Sequence, residues 1–494
     1  MSGGNIKDFD EITSFLGDYG FFQYLIMVML SLSTITCGYT GTIVVFVSDT
    51  PEHHCRVSGN STHNGTDVEQ SSWIGPDSCS RYKVHGNWTE TARPSNDTEP
   101  CLDGWVFSRE RYTATIVSEW DLVCDSAWKV PFSTSLFFVG VLIGSFISGH
   151  LSDRYITSLV LGSEILRSRA RISFSLLGHS LGFGFGYALL PLFAFLIRGW
   201  RMLLVASAIP GFLFIPAWWV IPESPRWLLQ KGRLEEAEMV IRTAAKRNGV
   251  PAPEIIFRTD ECMELTKTKD EEEHTYSFLD LIRTPNMRNI TILSVIIWMS
   301  TSMVFYGLSL NTSNLNGNAY LNCFISAAID MLTYIATWVL VNRVSQPTLL
   351  FSMLTFCGIM LLVIMLLPED MQVMLQVLAL VGKIGVSAAY CLIYVFFTEL
   401  IPTVVRNMGL GVASTAARIG SIICPYVIYM GEYSKILPYI VFGAVSIMAA
   451  TVSMLLPDTR NSKLPDLTSQ ARPIRGCCCP KETAEAQSDA TVKA

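Results

Sequence analysis

The segment Thr348-Leu-Leu-Phe-Ser-Met-Leu-Thr-Phe-Cys-Gly-Ile-Met-Leu-Leu-Val-Ile-Met-Leu-Leu367 holds no charged side chain. As a helix it carries Leu, Ile, Phe and Met on every face, whereas a helix at the surface of a water-soluble protein keeps one polar face. A helix of this length reaches about 30 Å, the thickness of a bilayer's hydrocarbon core. Outward from it, similar runs occupy roughly 22–47, 131–150, 172–197, 202–221, 290–310, 319–341, 372–397, 407–430 and 436–456. Ten such runs with no polar stripe predict an all-α polytopic membrane protein.

The composition agrees. Only 16% of the 494 residues are charged and 50% are hydrophobic, against about a quarter charged in ordinary soluble domains. A net charge of −6 with this apolar content excludes disorder for most of the chain. The pI of about 5.7 supplies no basic field for nucleic acid. The acidic stretch Asp8 to Asp18 and the length of the first run argue against a cleaved signal peptide, so residues 1–21 are expected as a cytoplasmic N-terminus before a retained first span.

Orientation follows from Lys and Arg in the loops. Segment 222–289 carries Arg226, Lys231, Arg233, Arg242, Lys246, Arg247, Arg258, Lys267, Lys269, Arg283 and Arg288, which marks a cytoplasmic inter-half loop. Its interleaved Leu234, Ala237, Met239 and Val240 predict short amphipathic helices that latch the halves. Counting back two spans at a time puts segment 51–130 outside. That loop holds four N-x-[ST] sequons, at Asn60, Asn64, Asn87 and Asn96, and four cysteines, Cys55, Cys79, Cys101 and Cys124. In an oxidising compartment these predict a glycosylated loop with two disulfides, in any of three pairings. The tail 457–494 is expected in the cytosol, with Cys477, Cys478 and Cys479 as lipidation candidates after Arg472 and Arg475.

The basic loop separates an N-terminal transmembrane half, 22–221, from a C-terminal half, 290–456, and the halves echo each other. Pro222-Glu223-Ser224 closes one and Pro457-Asp458-Thr459 the other; Glu164 precedes Arg171 by seven residues, as Glu399 precedes Arg406. The echo is incomplete. Arg343 and Glu399 lie 56 positions apart, with two spans between them, but Arg154 and Glu164 only ten. The apolar stretch Ile156 to Leu166 would reach about 16 Å as a helix, too short to span. The first half is therefore expected to lack two spans, leaving ten full spans instead of twelve.

Several motifs carry a family resemblance. They are Phe9-Asp10-Glu11 through Phe15-Leu16-Gly17, the cysteine-bearing loop before the second span, and Gly149-His-Leu-Ser-Asp153-Arg154. To these add Pro222-Glu-Ser-Pro-Arg226-Trp227 and Tyr394-Val-Phe-Phe-Thr-Glu399-Leu-Ile-Pro402-Thr-Val-Val-Arg406-Asn-Met-Gly409. Together they resemble the organic cation/carnitine transporter family of the major facilitator superfamily, over nearly the whole chain. The resemblance implies a two-half helical bundle in the plasma membrane, multi-pass with both termini cytoplasmic. It implies alternating-access transport of carnitine or a related zwitterion or organic cation, with co-transported Na+ and no enzymatic chemistry. After Asp153-Arg154 the family continues Gly-Arg-Arg/Lys into a third helix, where Tyr155 here leads to Ile156; Asn342-Arg343-Val344-Ser345 has also lost its paired arginines. In such transporters the fourth helix lines the cavity. Its absence supports an alternative, a non-transporting truncated variant that acts by association with a full-length carrier.

Ionisable residues inside spans are the candidates for chemistry, because an unpaired charge at bilayer depth costs ~2.5 kcal/mol or more. Arg418, in Gly411-Val-Ala-Ser-Thr-Ala-Ala-Arg418-Ile-Gly420, suits bidentate binding of a carboxylate; a structural ion pair is the bland alternative. Asp330 could meet a substrate cation or a basic residue, with Lys383 as its expected counter-ion; the latter's neighbours Val381-Gly382 do not make a nucleotide loop. Asp153, Arg154, Glu164, Glu399 and Arg406 are candidates for gating or packing ion pairs. Phe183 with Tyr187, and Tyr390 with Tyr394, stand one turn apart and offer aromatic faces to a trimethylammonium group. His179 reads as a packing residue rather than a proton relay. In the 222–288 loop no metal-ligand spacing, nucleophile elbow or Gly-rich phosphate loop is present.

Overall fold

The computed structural model describes residues 12–17, 20–56, 78–84, 94–152, 174–213, 222–223, 225–230, 233–254, 256–257, 279–315, 317–341, 343–368, 371–402, 405–459 and 473–474. Asp153, Arg154, Glu164, Asn60, Asn64, Asn87 and Cys477 to Cys479 lie outside them. So does the stretch where the two spans are expected to be missing.

Among the described residues ten apolar helices follow the ten runs. The first half contributes α1 (Phe21–Thr42), α2 (Lys129–Ser152), α3 (Ser180–Leu196) and α4 (Trp200–Leu213). The second contributes α5 (Pro285–Leu310), α6 (Ala319–Val341), α7 (Gln346–Val363), α8 (Gln372–Leu400), α9 (Arg406–Tyr429) and α10 (Leu437–Ser453). Among the described residues eight helical segments are long and apolar enough to cross a membrane, α3 only when the turn before it is included (Leu176–Leu196); α4 and α10, with 14 and 17 residues, are shorter. Proline opens α5, α7 and α10 within the first turn, where its missing N–H costs no hydrogen bond.

Within the second half α5 packs on α9, α8 and α10, α7 on α8 and α10, and α6 on α8. The halves meet along two seams, α3 against α6 and α2 against α9. The Ser135 hydroxyl on α2 donates to the Ile422 carbonyl on α9 at 2.8 Å. In the first half α1 crosses α3 where Gly38 and Gly186 meet. A Cβ on Gly38 would run into the Phe183 carbonyl, and one on Gly186 into the Ile35 carbonyl. Small residues allow backbones in a membrane to come this close. The largest fully buried side chains come from both halves, Tyr39, Phe46, Phe138 and Tyr187 from the first and Phe305, Phe396, Phe397 and Phe442 from the second, and they belong to one core cluster.

The loop between α1 and α2 forms two small antiparallel sheets. Strand β1 (His53–Cys55) pairs with β4 (Trp105–Phe107), and β2 (Ser80–Val84) with β3 (Pro94–Pro100), which contains Asn96. Of the three pairings open to the cysteines, the structure has Cys55–Cys101 and Cys79–Cys124. Between the halves, helix Leu234–Asn248 has Glu235 and Glu236 in its first turn and Lys246 and Arg247 in its last, matching its macrodipole. Gly249 ends it at φ 69°, a left-handed conformation that glycine adopts without strain. Asn248 holds this helix to α1: its Oδ1 accepts from Phe22 N at 2.8 Å, and its Nδ2 donates to Gln23 Oε1 at 2.8 Å.

Candidate functional site

Arg418 projects from α9 into a group of aromatic side chains contributed by α5 and α8. Its guanidinium lies within electrostatic range of Tyr306, Tyr390, Tyr394 and Cys37. Its Nε has no hydrogen-bond partner among the described residues. A guanidinium at membrane depth with a donor left over can take an acceptor from outside the protein.

The aromatic walls are ordered by ring contacts. Phe305 and Tyr390 stack at 4.5 Å between centroids and 6° between planes. Trp298 meets Tyr394 edge to face at 4.6 Å, and Tyr390 meets Tyr394 at 5.7 Å and 82°. Phe138 of α2 closes on Tyr306 at 5.2 Å, and Phe183 of α3 lies 6.3 Å from Phe305. From α1, Gly41 faces Phe183 and the Tyr306 hydroxyl, and one turn earlier the exposed thiol of Cys37 faces the same space. The group thus draws on both halves.

The two expected aromatic ladders fare differently. Tyr390 and Tyr394 lie together beside Arg418. Phe183 and Tyr187 part company: Tyr187 is fully buried, its hydroxyl lies 3.4 Å from the Ser309 carbonyl and 3.3 Å from Ser326 Oγ, and Lys383 Nζ sits 4.7 Å over its ring. The cation on Tyr187 is one of the protein's own. Asp330 likewise meets its cation internally, with Lys383 Nζ 3.1 Å from Oδ2 and Ser387 donating to Oδ1 at 2.6 Å. This pair joins α6 to α8 at full burial, so Asp330 is not open to a substrate in this conformation.

His179 ends a π-helical turn, Phe174–His179, that leads into α3. Its ring lies 5.9 Å from that of Tyr394, and its Nδ1 has no partner among the described residues. Glu399 sits at the far end of α8, accepting from Gln346 Nε2 at 2.8 Å and Thr459 Oγ1 at 3.1 Å; the Arg406 Nε donates to the Ile401 carbonyl at 3.4 Å. Thr459, of the Pro-Asp-Thr echo, therefore ties the end of the second half to Glu399.

Trp298, Phe305 and Tyr306 on α5 were absent from the candidates read in the sequence. They fall on one face two turns apart, but aromatics at that spacing in an apolar run look the same whether they pack or line a cavity. His53, Cys79 and Cys124 bring potential metal-ligand atoms within 4.8 Å of one another, but the two cysteines are bonded to each other, which removes both thiolates.

Comparison with known proteins supplies the family. The profile described as "Sugar (and other) transporter" matches residues 170–469. The chain is 42% identical to the Homo sapiens organic cation/carnitine transporter 2 over 539 aligned positions, covering 95% of each chain. It is 34% identical to an organic cation transporter protein of Drosophila melanogaster, covering 97% of each. The 539 positions outnumber the 494 residues here, so the human relative carries residues with no counterpart in this chain. A solved proton:xylose symporter, XylE, shares the fold with a TM-score of 0.60 at 14% identity, over 91% of this chain and 99% of that one. The chain belongs to the organic cation/carnitine transporter family of the major facilitator superfamily, and is a multi-pass solute transporter by fold and kinship rather than an enzyme.

Proposed function

We propose that this chain carries carnitine or a related zwitterion or organic cation across the plasma membrane by alternating access, coupled to Na+. The observation that carries the reading is Arg418 beside Tyr306, Tyr390 and Tyr394 where the two halves face each other. A guanidinium fork binds a carboxylate in two places. The faces of Tyr390, Tyr394 and Phe183 offer the ring quadrupoles that attract a quaternary ammonium. A ligand with both groups fits the pair of features better than a simple cation, which the Arg418 charge would repel. Glu399 and Arg406 serve the gate at the opposite end from the disulfides. Asp330 and Lys383 hold α6 to α8 without touching substrate. The sequons, Asn96 among them, carry glycans on the outer loop, and Cys477 to Cys479 carry lipid on the cytosolic side.

A second reading has its own support. The aligned positions without a counterpart here, and the short stretch Ile156 to Leu166, fit a truncated variant that does not transport and acts through association with a full-length carrier. Radiolabelled carnitine uptake by this chain, set beside one restored by inserting about 45 residues, two helices' worth, separates the readings. Equal uptake by both removes the truncated-variant reading. No uptake by the restored chain removes the carrier reading.

A further inference from the structure

The aromatic group is built in two layers. In one, Phe183 of α3 lies 6.3 Å from Phe305 of α5, which stacks on Tyr390 of α8 at 4.5 Å, so this layer is ring surface. One turn away along α3 and α8 stand His179 and Tyr394, and two turns away along α5 stands Trp298. These three form the other layer: Trp298 meets Tyr394 edge to face at 4.6 Å, and the His179 ring lies 5.9 Å from that of Tyr394. Here the rings bring buried polar atoms that have no hydrogen-bond partner among the described residues. They are Trp298 Nε1, His179 Nδ1 and, on the α5 face between Trp298 and Phe305, Thr301 Oγ1. Trp298 is 2% exposed and Thr301 0%. A buried polar group without a partner is costly, and such groups in a native protein call for a reason.

The backbone sets His179 in this place. It ends the π-helical turn Phe174–His179, a rare geometry that is frequent at functional sites. The turn is pinned to α8 across the two halves: the Cys391 thiol donates to the Leu176 carbonyl at 3.8 Å and lies 3.2 Å from Ser180 Oγ. The indole N–H of Trp298 can only donate, whereas a neutral imidazole nitrogen can accept. A hydroxyl answers both at once, taking a hydrogen bond from the indole and giving one to the imidazole. We propose that His179 and Trp298 form a hydroxyl-binding layer, and that His179 is a specificity-determining residue. It favours zwitterions that carry a hydroxyl between the quaternary ammonium and the carboxylate over those that lack one. The proposal deepens the carrier reading and rests on it for the two charged ends, with the ammonium at the ring layer and the carboxylate at Arg418.

The test is a binding measurement and needs no transport. The purified full chain in lipid nanodiscs is titrated with carnitine and with deoxycarnitine, the same zwitterion without its hydroxyl, and the ratio of the two Kd values is read. Wild type should bind carnitine about fivefold more tightly, the worth of one net hydrogen bond. His179→Phe and Trp298→Phe keep a ring and lose the nitrogen. Each should bring the ratio to about one while the Kd for deoxycarnitine stays within about twofold of wild type. If one variant does not fold the other carries the comparison, and the wild-type ratio stands without either. A loss of affinity shared equally by the two ligands overturns the proposal, because a residue that only packs would weaken both alike. Equal binding of the two by wild type also overturns it, and leaves the carrier reading in place. Binding of neither removes the carrier reading and the hydroxyl layer with it. A fivefold preference in a chain that takes up no carnitine keeps the layer and removes only the transport.

Discussion

Lys383 Nζ and Asp330 Oδ2 lie 3.1 Å apart with 1% and 0% of their side chains exposed, one on α8 and the other on α6. Ser326 and Ser387 complete the hydrogen bonding, and Tyr187 from the other half covers the ammonium. Two opposite charges at this depth cancel as a pair, but neither is stable without the other.

Removing one partner therefore costs more than removing both. Asp330→Asn or Lys383→Met alone should destabilise by about 3–5 kcal/mol, and the double variant should recover most of that loss. Thermal unfolding of the purified protein in detergent checks it. A double variant no better than the worse single one would show that the pair does not set the cost.

Arg418→Lys keeps the charge and loses the fork. In the chain with restored helices, carnitine uptake should fall by about tenfold while tetraethylammonium, which has no carboxylate, changes little. Equal losses for both would remove Arg418 as the carboxylate ligand.

In the disulfide-bearing loop Glu119 accepts a bidentate contact from Arg201 and a 2.8 Å bond from Trp200 Nε1. Arg201 first and Trp200 second hold its carboxyl below the usual glutamate value. A depressed acid contributes stability above its unfolded value of 4.5, and that contribution is lost as pH falls through the lower folded value. Wild type should thus lose stability on acidification below that point relative to Glu119→Gln, whose side chain does not titrate. Parallel melting curves for the two between neutral pH and acid would contradict the assignment.

Gly186→Val tests the crossing of α1 and α3. Its Cβ would meet the Ile35 carbonyl, so the helices must separate, at a cost of about 1–3 kcal/mol. Gly199→Ala, where nothing lies within 4 Å of a Cβ, is the control and should melt like wild type.

The spans were legible in the sequence because a bilayer asks for about 20 apolar residues in a row, and little else in a protein does. Arg418 was legible for the complementary reason, as a charge in a run where charge is expensive. Trp298, Phe305 and Tyr306 were hidden because α5 is apolar all round and offers no contrast. Phe183 and Tyr187 stand one turn apart on α3, but periodicity names a face and not what covers it. Lys383, from the other half, covers part of it.

By itself the sequence determined the class of molecule: membrane-spanning, built in two echoing halves, with one half short in comparison with the other. Those properties follow from hydropathy and spacing along one chain, which folding does not rearrange. Only the tertiary structure decided the partners. It chose one disulfide pairing from three, gave Asp330 to Lys383, and left the Arg418 Nε without a partner among the described residues. Such choices depend on which helices are neighbours, and helix packing in a membrane turns on close shape fit at places such as Gly38 and Gly186 rather than on any local pattern.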